Sequence, residues 1–283
     1  MKSPINSSVH DLLTQMSSET SPRGLKVIEK RLTTLELDPL FPVINFNSRK
    51  FNWKYFVGEL WWYLSQERNL DKINKFSNFW NSIADNGLVN SNYGYIMLSR
   101  QKNQFHWAMS RLIMDQDSRQ AVMVFNTPKY QKFGVKDFVC TMYVNFWIRE
   151  NQLDMKVQMR SNDIFYGLQY DAPFFSLIHQ SARYCLLPYY EDLELGTYYH
   201  CSDNTHYYER HFDMVSKIKS EDPTNENNSI ELKINSPVFD FSMNEGISSE
   251  SKLFMQHMDN IEDHSVLSDN DYREIFTKFF MEN

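Results

Sequence analysis

Apolar and polar residues alternate along FVCTMYVNFWIRENQLDMKVQMRS (138–161), broken by a polar turn at Arg149–Gln152. That pattern predicts a hairpin of two long strands, with Cys140 inside the first. WKYFVGELWWYLSQE (53–67) instead carries apolar residues at helical spacing and predicts a buried helix. NKFSNFWNSIADNG (74–87) predicts a second helix, closed by the turn signal Asn86-Gly87, and HWAMSRLIMDQ (106–116) a third. AVMVFNT (121–127) follows as a strand, and FFSLIHQSARYCLLP (174–188) as a long helix ended by Pro188. LKVIEKRLTTLELDP (25–39) and FPVINFNSRKF (41–51) are rich in β-branched residues and read as extended pieces, broken by Pro39 and Pro42.

The ends of the chain are more polar. Residues 1–22 are Ser-rich and predict a short helix from His10 to Met16 within a flexible lead-in. EDPTNENNS (221–229) and NEGISSESK (244–252) read as loops, ELKINSPVFDF (231–241) as a strand and DYREIFTKFF (271–280) as a short helix. The expected fold class is α+β: one domain with a mainly antiparallel or mixed sheet and helices packed on it.

Hydrophobic residues make up 42% of the 283 residues and aromatics 15%, enough for a sizeable core. The formal net charge of -7 argues against general nucleic-acid binding, which needs a basic stripe. A locally basic pocket for one phosphate remains compatible with that charge. The three cysteines, Cys140, Cys185 and Cys201, are odd in number and show no CxxC spacing. Neither a disulfide framework nor a metal site is expected. The N-terminus has no apolar signal core, and no run of about 18 apolar residues occurs. A cytoplasmic protein without membrane contact is expected.

The ordered motifs are more specific. Cys140 stands in VCT, twenty residues before the Arg160-Ser161 pair that opens RSNDIFYGLQYD (160–171). An isolated cysteine among apolar neighbours is usually an inert core residue. With this spacing, and with DSRQ (117–120), NTHYY (204–208) and GELWWYL (58–64), the chain resembles the thymidylate synthase family. The resemblance covers residues 20–215 and implies a catalytic domain at 23–216. A divergent C-terminal extension, 217–283, is expected to pack on the same domain, after the lead-in at 1–22.

The resemblance implies a site. Cys140 corresponds to the nucleophile that adds to C6 of a pyrimidine, and Glu59 to an acid that organises proton transfer. Arg23, Arg160 and Ser161 correspond to ligands of the nucleotide phosphate. Arg119 corresponds to an arginine that crosses a homodimer to the partner's phosphate. Gln120 stands where the family has a second arginine. His206 and Tyr208 correspond to the pair that bonds the sugar hydroxyl, and alternation puts both on one strand face. Trp80, Tyr93, Asp163 and Gly167 correspond to residues around the folate and base. The implied co-substrate is 5,10-methylenetetrahydrofolate, with a pyrimidine nucleoside monophosphate as substrate.

Asp171 departs from the pattern of the family's dUMP-using members, which have Asn there. Uracil offers an acceptor at C4 and a donor at N3, whereas cytosine offers an amino donor at C4 and an acceptor at N3. A carboxylate accepts from the cytosine amino group and mismatches the uracil carbonyl, a difference of about 1–3 kcal/mol or more in a buried site. Asp171 could also cap the helix opening at Ala172-Pro173. Within the family an Asp here marks the bacteriophage deoxycytidylate hydroxymethylases. That resemblance implies conversion of dCMP to 5-hydroxymethyl-dCMP for a viral genome, in the host cytoplasm. Methylation of dCMP or dUMP is the rival chemistry. Nucleotide binding without turnover is the rival from another class.

Overall fold

A computed structural model describes residues 4–99 and 103–281. Its centre is a seven-stranded mixed sheet among those residues. The strands are β1 (Ser18–Thr20), β2 (Val27–Leu37), β3 (Val122–Val124), β4 (Thr141–Arg149), β5 (Gln152–Met159), β6 (Asn162–Asp163) and β7 (Glu194–Tyr208). They are ordered β1-β2-β7-β5-β4-β3, with β6 pairing to β7. All neighbours are antiparallel except β5 and β6, which run parallel to β7. A parallel return needs a crossover. Here α6 (Gln169–Leu186) supplies it.

The expected hairpin forms as β4 and β5. Glu150 and Asn151 both take positive φ (50° and 57°), as the tight turn that matches strand twist requires. The register pairs Val144 with Val157, Phe146 with Met155 and Ile148 with Leu153, so one face is wholly apolar and buried. The opposite face carries half-buried Tyr143, Asn145, Trp147, Lys156 and Tyr199. Trp147 stacks there on Tyr199 at 5.8 Å. Cys140 lies on a bend immediately before β4, not inside the strand. The ladder opens at Thr141 through a register shift between Thr141 and Tyr143.

The remaining helices are α1 (Ile5–Gln15), α2 (Trp53–Ser65), α3 (Phe79–Ile83), α4 (Tyr93–Leu98), α5 (Gln104–Met114), α7 (Phe212–Ile218), α8 (Ser249–Asp259) and α9 (Asp269–Phe280). α2 forms as expected, with Asn52 capping its first turn through Tyr55 N. α8 and α9 pack on α2, where Phe276 meets Trp53 and Phe56 at 5.7 Å each.

Several expectations give way to tertiary context. The helix expected from residue 10 begins at Ile5, and Ile5, Val9, Leu12 and Leu13 are buried rather than part of a flexible lead-in. The helix expected over 74–87 shrinks to α3, while Asn86 and Gly87 do form a positive-φ turn. The segments 41–51 and 231–241 contain no strand. For 231–241 the reason is visible in α6. Gln180 bonds Leu232 O at 2.7 Å and Ile234 N at 3.1 Å, and Ser181 Oγ accepts from Val238 N at 3.0 Å. Side chains satisfy this backbone, so it needs no neighbouring strand. Ser248 caps α8 through Ser251 N, inside a stretch expected to be loop.

Candidate active site

Cys140 is anchored from both sides. Arg160 N donates to Cys140 O at 2.9 Å, and the guanidinium donates to Val139 O at 3.1 Å and to Phe138 O. Asn126 Nδ2 holds Val139 O at 2.8 Å. Buried Asp137 ties the preceding residue pair to the 90–91 loop, accepting from Asn90 N at 2.6 Å and Ser91 N at 2.7 Å. The same Arg160 guanidinium lies 3.5 Å from Cys140 Sγ. Burial pushes the thiol up to about 11, opposed by Arg160 and Arg23 and reinforced by Asp171. In the free protein Cys140 is a thiol at neutral pH, and the nearby cations reduce the cost of its thiolate.

Asp171 is not the helix cap. It sits in the first turn of α6, with Asn162 Nδ2 donating to its Oδ2 at 2.9 Å. The capping role belongs to Asp163, whose Oδ1 accepts from Phe165 N at 2.7 Å and Tyr166 N at 2.6 Å, opening a π-helical turn, Ile164–Leu168. Burial raises Asp171 to about 6 despite the Asn162 bond. Gly167 crosses this pair closely: a Cβ there would lie 2.7 Å from Asn162 Nδ2 and 3.2 Å from Asp171 Oδ2. Steric room for that hydrogen bond is a reason for glycine within the protein itself.

Glu59, only 6% exposed, projects from α2 into the same chamber. The Tyr55 hydroxyl donates to its Oε1 at 2.8 Å, and Trp80 Nε1 donates to Tyr55 Oη at 3.2 Å. Burial raises Glu59 to about 8, reinforced by the nearby Asp171 carboxylate and opposed by bonds from Tyr55 and Tyr63. Glu59 is mostly protonated at neutral pH. Tyr93, at the start of α4, accepts from Thr141 Oγ1 at 2.9 Å and feels both Asp171 and Cys140. Cys140, Arg160, Asp171, Glu59, Trp80 and Tyr93 therefore converge.

A second group adjoins the first. Asp163 and His206 face each other in the β6–β7 register. Burial pushes Asp163 up and His206 down, each partly offset by attraction to the other. Asp163 Oδ2 is buried without a hydrogen-bond partner. His206 and Tyr208 share a strand face with their rings 5.3 Å apart. Arg210 stacks 4.8 Å above both Tyr208 and Tyr166. Arg23, exposed and at φ 53°, acts on both Cys140 and His206 and so links the two groups. Ser161 is half-buried between β5 and β6. Arg119 is not among these groups. It lines a separate cavity of about 630 Å³ with Arg111, Arg149, Asp115 and Asp117.

Residues 9–248 match the family model described as thymidylate synthase. The chain belongs to the thymidylate synthase family. It is also similar to the deoxycytidylate 5-hydroxymethyltransferases of Enterobacteria phages T4, T2 and T6. Identity to each is 33% over 127 residues, which span 42% of this chain and about half of each relative (52%).

Within this family member, the motifs exposed the residues that face the chamber but not those that hold them. Tyr55, Tyr63, Asn162, Tyr198 and His200 were not singled out from sequence. Tyr198 and His200 alternate with half-buried Thr197 and Tyr199 on β7, and that alternation is the available signal. Among the described residues no His/Cys/Asp/Glu cluster suited to a metal occurs, and no helix is long and apolar enough to cross a membrane. The donor set does fit a folate. Asp163 Oδ2 is an unpaired buried acceptor suited to the N–H groups of a pterin, and Tyr166, whose backbone N–H is bonded to Asp163, offers a half-exposed ring beside it.

Proposed function

We propose that this protein hydroxymethylates C5 of dCMP, releasing 5-hydroxymethyl-dCMP. The supporting observation is the arrangement of Asp171. Asn162 occupies Oδ2, and no donor is bonded to Oδ1 among the described residues. That leaves an acceptor beside Cys140, complementary to the amino group of cytosine and mismatched to the carbonyl of uracil.

In this reading Cys140 Sγ bonds C6, and the C5–C6 π pair shifts toward C5 in conjugation with C4 and N3. The thiol gives up its proton in that step to the ionised Asp171 carboxylate, with Arg160 and Arg23 lowering the cost of the thiolate. Asp171, titrating near pH 6, exchanges a proton with N3 as charge develops there. 5,10-Methylenetetrahydrofolate would supply the one-carbon unit to C5. Loss of the C5 proton then provides the electron pair that expels tetrahydrofolate and leaves an exocyclic methylene on C5; protonated Glu59, bonded to Tyr55, gives its proton to the departing amine, and its carboxylate takes the C5 proton. Water adds its hydroxyl to the methylene carbon, and Cys140 departs as the thiol with the remaining proton, restoring the C5–C6 double bond.

Arg23, Arg160 and Ser161 bind the phosphate in this proposal, and His206 and Tyr208 the sugar. Trp80, Tyr93, Asp163 and Gly167 border the folate and base. Arg119 acts across a homodimer formed on the outer sheet face, where Tyr143, Trp147 and Tyr199 are half-buried aromatics. Residues 217–283 are an extension of the catalytic domain 23–216, in the host cytoplasm of a virus.

Incubation with dCMP, dUMP or CMP plus the folate, followed by product mass, tests the reading. A dCMP product heavier by CH2O is expected, with tetrahydrofolate formed. A gain of CH2 with dihydrofolate identifies methylation instead. No product from dCMP, or full activity in Cys140→Ser, overturns the proposal.

A further inference from the structure

Behind Asp171 lies a buried chain of polar groups that the chemistry above does not use. His200 Nε2 meets Asn162 Oδ1 at 3.0 Å, and the Tyr198 hydroxyl, Oη, meets His200 Nδ1 at 2.7 Å. Tyr198 and His200 are on β7, Asn162 on β6 and Asp171 on α6, so three elements converge. Asn162 is 3% exposed, His200 2% and Tyr198 0%. Burying these groups costs stability unless each bond is satisfied.

The bonds have a direction. Burial pushes His200 down to about 3, so the ring is neutral and carries one N–H. Tyr198 must donate to Nδ1 if its hydroxyl is to be satisfied, which puts the ring hydrogen on Nε2. That hydrogen then requires the carbonyl of Asn162, not its amide nitrogen. The Asn162 N–H is thereby aimed at Asp171. A flip of Asn162 would set two donors face to face at His200 and two acceptors face to face at Asp171.

We propose that Tyr198, His200 and Asn162 are positioning residues that hold Asp171 as a hydrogen-bond acceptor and so set selection of a cytosine edge over a uracil edge. The inference rests on the reading that Asp171 faces the base. Titratable groups facing Asp171 from other elements are Glu59 and Tyr63 on α2, Tyr93 on α4, Cys140 before β4 and Tyr198 on β7. All of these are uncharged near pH 6, so burial is what favours a protonated Asp171, and the Asn162 donor opposes it directly.

The test compares wild type with Tyr198→Phe, Asn162→Leu and His200→Gln. Tyr198→Phe removes one hydroxyl, and His200→Gln retains an N–H able to reach Asn162. Two quantities are read: the Asp171 titration by carboxyl 13C NMR on nucleotide-free protein, and the dCMP-to-dUMP ratio of kcat/KM from release of C5 tritium. Asn162→Leu should raise the Asp171 midpoint by about one pH unit and lower the ratio about tenfold. Tyr198→Phe should move both in the same direction by less, and His200→Gln should leave both near wild type. An unmoved titration in folded Asn162→Leu and Tyr198→Phe overturns the relay. A moved titration with an unchanged ratio overturns its role in selection. A wild type inactive on both nucleotides overturns the functional reading and the selection step with it, and the titration still judges the positioning.

Discussion

Asp171→Asn replaces one oxygen by an amide nitrogen with little change in shape, in a pocket where the orientation of the new group is already dictated. Asn162 presents N–H to this position at 2.9 Å, so the substituted side chain must turn its carbonyl to Asn162 and its NH2 to the chamber. The acceptor that suits the cytosine amino group then becomes a donor that suits the uracil carbonyl. Facing cytosine, two donors oppose each other, at about 1–3 kcal/mol. Facing uracil, a mismatch of similar size is relieved. The combined change of about 2–6 kcal/mol corresponds to a swing of about thirtyfold to twenty-thousandfold in relative kcat/KM, at about 1.4 kcal/mol per decade. The assay is initial tritium release from C5-labelled dCMP and dUMP across substrate concentration, with thermal unfolding as a control. The wild type should show an acidic limb of activity near pH 6, and the variant should lack it. A folded Asp171→Asn whose preference stays within about threefold of wild type would refute the hydrogen-bond argument, since such a change is below the smallest worth of one bond pair.

Other outcomes follow from the same chamber. Gly167→Ala should push Asn162 away from Asp171, costing about 1–3 kcal/mol of stability by chemical denaturation and lowering cytosine preference. Cys140, with its thiol near 11, should react with iodoacetamide at pH 7 about a hundredfold more slowly than a free cysteine, as timed by peptide mass spectrometry. Reaction at the free-cysteine rate would remove burial as the controlling influence. Arg119→Ala should raise KM for the nucleotide about tenfold, and sedimentation should show a dimer in both proteins; a wild-type monomer would refute the crossing arginine.

The hairpin, α2 and α6 were legible because their periods are long and their apolar faces continuous. Chemistry-bearing residues were legible where motif order is rigid, as at Cys140, Arg160 and Asp171. Segment 231–241 misled because β-branched residues favour burial, and here α6 side chains, not a partner strand, satisfy the backbone. The roles of Asn162 and His200 are hidden in the sequence for a related reason. Alternation marks them as inward-facing, but pairing Asn162 with Asp171 depends on the π-helical turn between them, which periodicity does not reveal. Sequence offers Asp171 as an alternative cap because, like Asp163, it precedes helical residues. The structure separates them by which one meets free backbone N–H groups.

Glu59 gives the sharpest test of the chamber's electrostatics without any ligand. Its folded value near 8 lies above the ordinary 4.5, so the protonated form is favoured by folding. The sign follows: the contribution is fully present below pH 4.5 and is lost as pH rises through about 8. Asp171 adds a smaller loss of the same sign between 3.8 and about 6. Glu59→Gln keeps an acceptor for Tyr55 and cannot ionise. It should therefore unfold at a higher temperature than wild type at pH 8.5, by an amount equivalent to a few kcal/mol, with the advantage shrinking toward pH 5. Differential scanning calorimetry over that range measures it. A constant offset between the two proteins would mean that Glu59 ionises no differently in the folded and unfolded chains. The buried proton store invoked for turnover would then have to lie on another group.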